Sequence, residues 1–293
     1  MLNGFADNLV VQQTLAEASD LLQLDLGKLI AEGPKDQLDL TTNTQPIMLT
    51  AAVAVYRAWI AAGGSPPDLV AGHSLGEYSA LVAAGVMSFS DAVPLVRFRA
   101  QAMQEAVPVG QGGMAAILGL SDDDVRDVCA AAAQGDVVEA VNYNAPLQVV
   151  VAGHKAAVER VCELAKIKGA KRALLLSVSA PFHSSLLQPA SDRLRIYLAP
   201  LVFLSPRIAL INNVDVAIVN DPVGIKDALV RQAAKPVRWV ETVQKMAADG
   251  VTHVVECGPG KVLAGLTKRI NGNLIGDAMV DQISMDKVLE LLK

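Results

Sequence analysis

Between an apolar run, Asp68-Leu-Val-Ala71, and a helical stretch from about Leu75 to Ala84, the chain turns within Gly72-His73-Ser74-Leu75-Gly76. A strand that gives way to a helix over so few residues belongs to a layered α/β fold with a parallel sheet. The five residues fit G-x-S-x-G, in which a serine is held on a strained strand-to-helix turn. Glycines are expected on both sides because a Cβ would clash there. The pattern alone is common; the strand before it and the helix after it give it weight. A helix starting at Leu75 also aims its N–H groups and positive dipole end at the place where an oxyanion would form.

Helical periodicity covers Val10 to Leu22 and Gln45 to Ala62, the second with Pro46 in its first turn and a stop at Gly63-Gly64. A helix from Asp91 to Glu105, capped by Ser90 or Asp91, follows the serine helix. After the Gly-rich break Pro108 to Gly113 the rhythm changes. Strands at Met114–Leu118, Val137–Tyr143, Gln148–Ala152 and Arg172–Val178 alternate with helices at Asp122–Ala133 and Lys155–Lys168. That order, β-α-β-β-α-β, is the ferredoxin-like pattern. The expected organisation is therefore a large α/β domain from residues 1–108 and 181–293, with a small ferredoxin-like domain, 109–180, inserted into it. The later part carries helices at Ser185–Leu198, Gly224–Ala233, Trp239–Ala248 and Val262–Arg269, with strands at Ile208–Asn212 and His253–Cys257.

The serine needs a base, and the chain has four histidines. His73 adjoins Ser74, and in a sharp turn neighbouring side chains diverge. His154 falls at a turn of the small domain, and His253 in a strand that reads as buried. His183, in Ala180-Pro-Phe-His-Ser184, stands where the small domain returns to the large one, and sites gather in such clefts. Spacing favours His183 and leaves a capping or surface role equally open. Arg99, amid Val96, Phe98 and Met103, reads by default as a solvated arginine. Gly110-Gln-Gly-Gly113 leads into a strand, and Gly258-Pro-Gly-Lys261 lacks phosphate-loop spacing, so neither is read as a nucleotide site.

Charge and cysteine usage narrow the partners. Lys plus Arg number 25 against 30 Asp plus Glu, a net charge of −5 that disfavours nucleic acid. The most apolar stretch, Ile47 to Ile60, is broken by Arg57 and falls short of the ~18–20 residues a membrane span needs. Cys129, Cys162 and Cys257 form no CxxC pair and suit buried thiols in a reducing cytoplasm. No basic segment followed by an apolar one opens the chain, so no export signal is expected.

Taken together, Thr44-Gln45-Pro46, Gly72-His-Ser-Leu-Gly-Glu-Tyr-Ser79, Arg99 with Met103-Gln-Glu-Ala-Val-Pro108, and Asn142-Tyr-Asn144 resemble one family. So do Val151-Ala-Gly-His154, His183, Asn212-Asn-Val214, Gln232 with Pro236-Val-Arg-Trp239, and Gly258-Pro-Gly-Lys261. The resemblance is to the malonyl-CoA:acyl carrier protein transacylases of bacterial fatty acid synthesis, and it runs along nearly the whole chain. It implies an α/β-hydrolase-like large domain with the inserted ferredoxin-like one. It also implies transfer of malonyl from malonyl-CoA to the phosphopantetheine thiol of acyl carrier protein through a malonyl-serine ester.

By the same resemblance Ser74 is the nucleophile, His183 the general base and then acid, and the Leu75 N–H an oxyanion donor. No triad carboxylate is expected: a backbone carbonyl at the position of Gln232 orients the histidine. Arg99 would hold the free malonyl carboxylate as a bidentate pair. Phe182 would crowd out an α-methyl group, and Asn144 and Met103 would line the pocket. The enzyme would bind no cofactor or metal, act as a monomer in the cytoplasm, and meet acidic acyl carrier protein on a local basic patch. Lys166, Lys168, Lys171 and Arg172 are candidates, as are Lys261, Lys268 and Arg269; an ordinary solvated surface stays open for both.

The family opens with a central strand and Gly-Gln-Gly-Ser-Gln, whose glutamine gives a second oxyanion donor, whereas this sequence starts at Met1-Leu-Asn-Gly4. A gap in the sheet and a weakened oxyanion hole are the corresponding expectations, the latter worth roughly 10²–10³ in rate. Two other readings remain at this level. One is a serine thioesterase or hydrolase using water; the other is a catalytically weak form that only binds carrier protein.

Overall fold

The computed structural model describes residues 1–178 and 180–292. Its strands are β1 (Leu69–Ala71), β2 (Gly112–Leu118), β3 (Val138–Ala145), β4 (Gln148–His154), β5 (Arg172–Leu175), β6 (Ala209–Ile211), β7 (His253–Cys257) and β8 (Ile275–Met279). The architecture is α/β, with parallel strand pairs in the large region and an antiparallel sheet in the small one.

The antiparallel sheet has the order β3-β4-β2-β5. Its two helices, Asp122–Ala133 and Lys155–Ile167, have an apolar residue every third or fourth position. Val125, Val128, Ala132, Val158, Val161 and Ala165 bury this stripe against Ala115, Ile117, Val149 and Val151 of the sheet. Ser121 caps the first helix by accepting from Asp124 N–H, and three aspartates in its first turn suit the positive end of the dipole. Cys129 and Cys162 are buried as free thiols, while Cys257 is half-buried at the end of β7.

In the large region β1 runs parallel to β6, with Val70 opposite Leu210, and β7 runs parallel to β8, with Val255 opposite Asp277. The two pairs form separate two-stranded sheets. A cleft of about 490 Å³ lies between them, lined by Val70, Gly72, Trp239, Val254 and Glu256. Around β1 and β6 the helices Thr41–Ala61, Phe89–Glu105, Gln188–Leu198 and Pro222–Gln232 close the main core, contributing Leu49, Leu95, Leu194 and Leu229.

Several elements differ from the sequence expectation. The helix expected from Gln45 begins at Thr41, so Pro46 lies inside it rather than in its first turn. Ser88, not Ser90 or Asp91, caps the helix Phe89–Glu105 by accepting from Asp91 N–H. β5 stops at Leu175 instead of reaching Val178. The helices Leu26–Glu32, Lys35–Asp39 and Gln282–Leu291 and the strand β8 were not anticipated. β8 carries Gly276, where a Cβ would stand 2.7 Å from Ala264 O, so close packing against a helix dilutes its strand signature. Among the described residues no helix is long and apolar enough to cross a membrane.

Candidate active site

The elbow after β1 delivers Ser74 at the start of the helix Gly76–Ala83. At Gly72 an added Cβ would lie 1.9 Å from Gly76 C and 2.0 Å from Gly76 O, so only glycine fits. Gly76 itself has open space around its missing Cβ; the expectation of two sterically required glycines holds for Gly72 alone. Ser74 occupies the left-handed region at φ 52° and His183 at φ 67°. Such backbones cost about 1–3 kcal/mol each and persist only where surrounding contacts hold them. Asn213 supplies the holding contacts at the serine: its Oδ1 accepts from Ser74 N–H at 2.7 Å and its Nδ2 donates to Gly72 O at 2.7 Å.

His183, 109 residues along the chain, meets the serine with Nε2 at 2.7 Å from Ser74 Oγ. Its Nδ1 lies 2.8 Å from the backbone oxygen of Gln232. A carbonyl only accepts, so Nδ1 carries the proton and Nε2 is left to accept from the serine hydroxyl. The imidazole is buried, and burial followed by the Arg99 charge pushes its pKa down to about 3. It is therefore neutral at pH 7, the state a general base requires.

Arg99 is only 2% exposed, against the solvated default. Its Nη1 donates to Gln45 Oε1 at 2.7 Å, and its Nη2 to Gln232 Oε1 at 3.0 Å and to Ser74 Oγ at 3.1 Å. The guanidinium also lies 5.2 Å from the centre of the Tyr78 ring. Each of these oxygen acceptors is neutral, so the buried cation has no carboxylate among its hydrogen-bond partners here, and a guanidinium in that state can pair with one.

Ser74, His183, Arg99 and Gln232 thus form one cluster, and the Leu75 N–H adjoins it at the helix start. Among the described residues that N–H has no hydrogen-bond partner within the protein. Asn144 Oδ1 lies 2.8 Å from His73 Nε2, and the His73 ring centre is 5.6 Å from that of Trp239, so His73 Nε2 is engaged by Asn144. Phe182 packs between the main core and the cluster of Met114, Val141 and Val150. Met103 is buried in the main core. His154 takes the Val137 N–H, and His253 pairs with Thr252, both away from the site.

Three residues that carried no role in the sequence reading belong to the cluster. Gln45 binds Arg99, Asn213 clamps the elbow, and Glu77 sits underneath, its Oε2 accepting from Asn213 N–H and Gln232 Nε2 at 2.9 Å each. Burial pushes the Glu77 carboxyl up to about 7. In the sequence they stand out only as members of the quoted motifs Thr44-Gln45-Pro46, Gly72-His-Ser-Leu-Gly-Glu-Tyr-Ser79 and Asn212-Asn-Val214. Of the basic candidates, Lys168 is paired with Asp124 at 2.9 Å and Asp127 at 3.1 Å, and so is partly neutralised.

Residues 6–272 match the family model for the acyl transferase domain. The chain is 52% identical over 282 residues to the malonyl CoA-acyl carrier protein transacylase of Escherichia coli strain K12, covering 96% of this chain and 91% of that one. It is 44% identical over 278 residues to the enzyme of the same name from Bacillus subtilis, covering 94% and 87%. Among solved structures, an acyl-carrier-protein S-malonyltransferase from Burkholderia pseudomallei 1710b superposes with a TM-score of 0.97 at 70% identity, covering 99% of this chain and 94% of that one. A malonyl-transacylase in complex with its type II PKS acyl-carrier protein superposes with a TM-score of 0.97 at 49% identity, with the same coverage.

Proposed function

The chain belongs to the acyl transferase family, among relatives that are malonyl CoA-acyl carrier protein transacylases, and from that premise we propose how its own residues carry the transfer. It is an acyltransferase that moves malonyl from malonyl-CoA to acyl carrier protein for fatty acid synthesis. The observation that carries the site assignment is the single oxygen, Ser74 Oγ, lying 2.7 Å from a neutral imidazole nitrogen and 3.1 Å from a buried guanidinium.

In the first half-reaction Ser74 Oγ attacks the thioester carbonyl as its proton passes to His183 Nε2. The carbonyl oxygen becomes an oxyanion facing the Leu75 N–H and the helix N-terminus. Collapse breaks the carbon–sulfur bond, and His183 returns its proton to the leaving coenzyme A sulfur. The malonyl group is then an ester on Ser74. The second half runs in reverse: the phosphopantetheine thiol of acyl carrier protein gives its proton to His183, and its sulfur attacks the ester carbonyl. Collapse frees Ser74, which recovers the proton.

Arg99 takes the free malonyl carboxylate in both halves. Pairing with that anion draws the guanidinium off Ser74 Oγ and offsets the positive charge that depresses His183, so the diacid substrate itself raises the basicity of the base. An acetyl group gives neither effect. Phe182, beside the base, is assigned to excluding an α-methyl group, and Asn144 and Met103 to the pocket wall. The site is assembled within one chain, which supports a monomer as the working unit. Unpaired thiols at all three cysteines support the cytoplasm.

The test is steady-state transfer from malonyl-CoA to holo acyl carrier protein, with and without the carrier. Carrier-dependent consumption supports transfer; equal release of free malonate in its absence would indicate a hydrolase.

A further inference from the structure

Glu77 is 1% exposed on a helix whose other buried residues include Tyr78, Ala80 and Leu81. A carboxyl in such surroundings is costly unless its oxygens are bonded. Oε2 accepts two bonds, and their donors are the two residues that hold the active site together. Asn213 fixes the elbow through Ser74 N and Gly72 O. Gln232 touches all three functional residues: its Nε2 donates to Ser74 O at 3.0 Å, its Oε1 accepts from Arg99, and its backbone oxygen accepts from His183.

The two ends of the Gln232 carboxamide are not equivalent. With Glu77 Oε2 and Ser74 O as acceptors for its NH₂, the amide oxygen must face Arg99. If the Glu77 acceptor is removed, the flipped amide puts N–H groups against a guanidinium that also carries only donors. We propose that Glu77 is a positioning residue for acyl-group selection, fixing the Gln232 amide so that its oxygen aligns Arg99 for a carboxylate. The groups facing Glu77 are Arg99, Asp215 and Tyr78, and none of them donates to Oε2. The requirement is an acceptor oxygen, which glutamine also provides.

This inference rests on the malonyl-transfer reading, and the experiment separates the two. Single-turnover loading with malonyl-CoA and acetyl-CoA is compared in the wild type, Glu77→Ala, Glu77→Gln, Gln232→Ala and the double variant Glu77→Ala/Gln232→Ala. Glu77→Ala is expected to lower the malonyl-to-acetyl ratio roughly tenfold, as loss of one buried hydrogen-bond acceptor implies. Glu77→Gln recovers most of the ratio, and Glu77→Ala has no further effect once Gln232 is alanine. A parallel fall for both substrates, or a Glu77→Gln protein as impaired as Glu77→Ala, overturns the proposal.

Side-chain NH₂ exchange of Gln232, followed in protein labelled with ¹⁵N-glutamine, gives a readout free of catalysis. It is slow in the wild type and Glu77→Gln and fast in Glu77→Ala; equal exchange in all three overturns the positioning role. A wild type that takes up no malonyl would refute the functional reading, while the exchange measurement still decides this one.

Discussion

Replacing Arg99 by lysine keeps a cation in nearly the same volume and removes the planar fork. The guanidinium uses both terminal nitrogens, Nη1 on Gln45 and Nη2 on Gln232 and Ser74. A lysine Nζ is a single point and cannot offer two parallel N–H groups to a carboxylate. One of the two charge-assisted bonds to the malonyl group is therefore lost, at about 1.5–3 kcal/mol. That corresponds to roughly 10- to 150-fold in kcat/KM for malonyl-CoA. Acetyl-CoA has no carboxylate to lose, so its loading should stay within roughly threefold of its own wild-type value, which is a change of ~0.6 kcal/mol. Rapid-quench loading with each thioester, on protein shown by thermal unfolding to be folded, reads the two rates separately. Equal falls for both substrates would place Arg99 in general catalysis rather than selection. An unchanged malonyl rate would remove it from the site.

Gly72→Ala should abolish loading, because its Cβ meets the Gly76 backbone at 1.9 Å, whereas Gly76→Ala, with open space, should fold and load; intact mass reads both. His183 is held down to about 3, so the neutral base is lost only as pH falls. Loading of acetyl-CoA, which leaves Arg99 uncompensated, should stay flat from pH 8 to about 5, well below the ordinary histidine midpoint near 6.5, and half-loss at 6.5 would contradict the burial argument. The Glu77 carboxyl, raised to about 7 in the fold from 4.5, costs stability as pH rises through that window. Glu77→Gln should therefore gain roughly 3 kcal/mol relative to wild type between pH 4.5 and 8 in denaturant titrations.

The elbow and the inserted β-α-β-β-α-β unit were legible because each is local: strand, turn and helix are adjacent in sequence, and hydrophobic period marks the faces. His183 was favoured from its position at the return of the insertion. Arg99 was not legible from its surroundings, because its burial depends on Gln45, 54 residues away, and Gln232, 133 residues away. Only the resemblance gave it a role. Glu77 and Asn213 were quoted within motifs without function, since their bond, 136 residues apart, exists only when β1 and β6 lie side by side. The strand β8 was missed for a different reason: Gly276 removes the alternating apolar signal where the helix Val262–Ile270 packs against it.

The central claim is that Ser74 takes malonyl from coenzyme A as an ester. Intact-protein mass after brief exposure to malonyl-CoA, beside Ser74→Ala and an acetyl-CoA control, tests it most directly. The account predicts one malonyl adduct on the wild type, none on Ser74→Ala, and far less acetyl adduct. Folded wild-type protein that gains no malonyl mass, or an adduct that survives in Ser74→Ala, would contradict it.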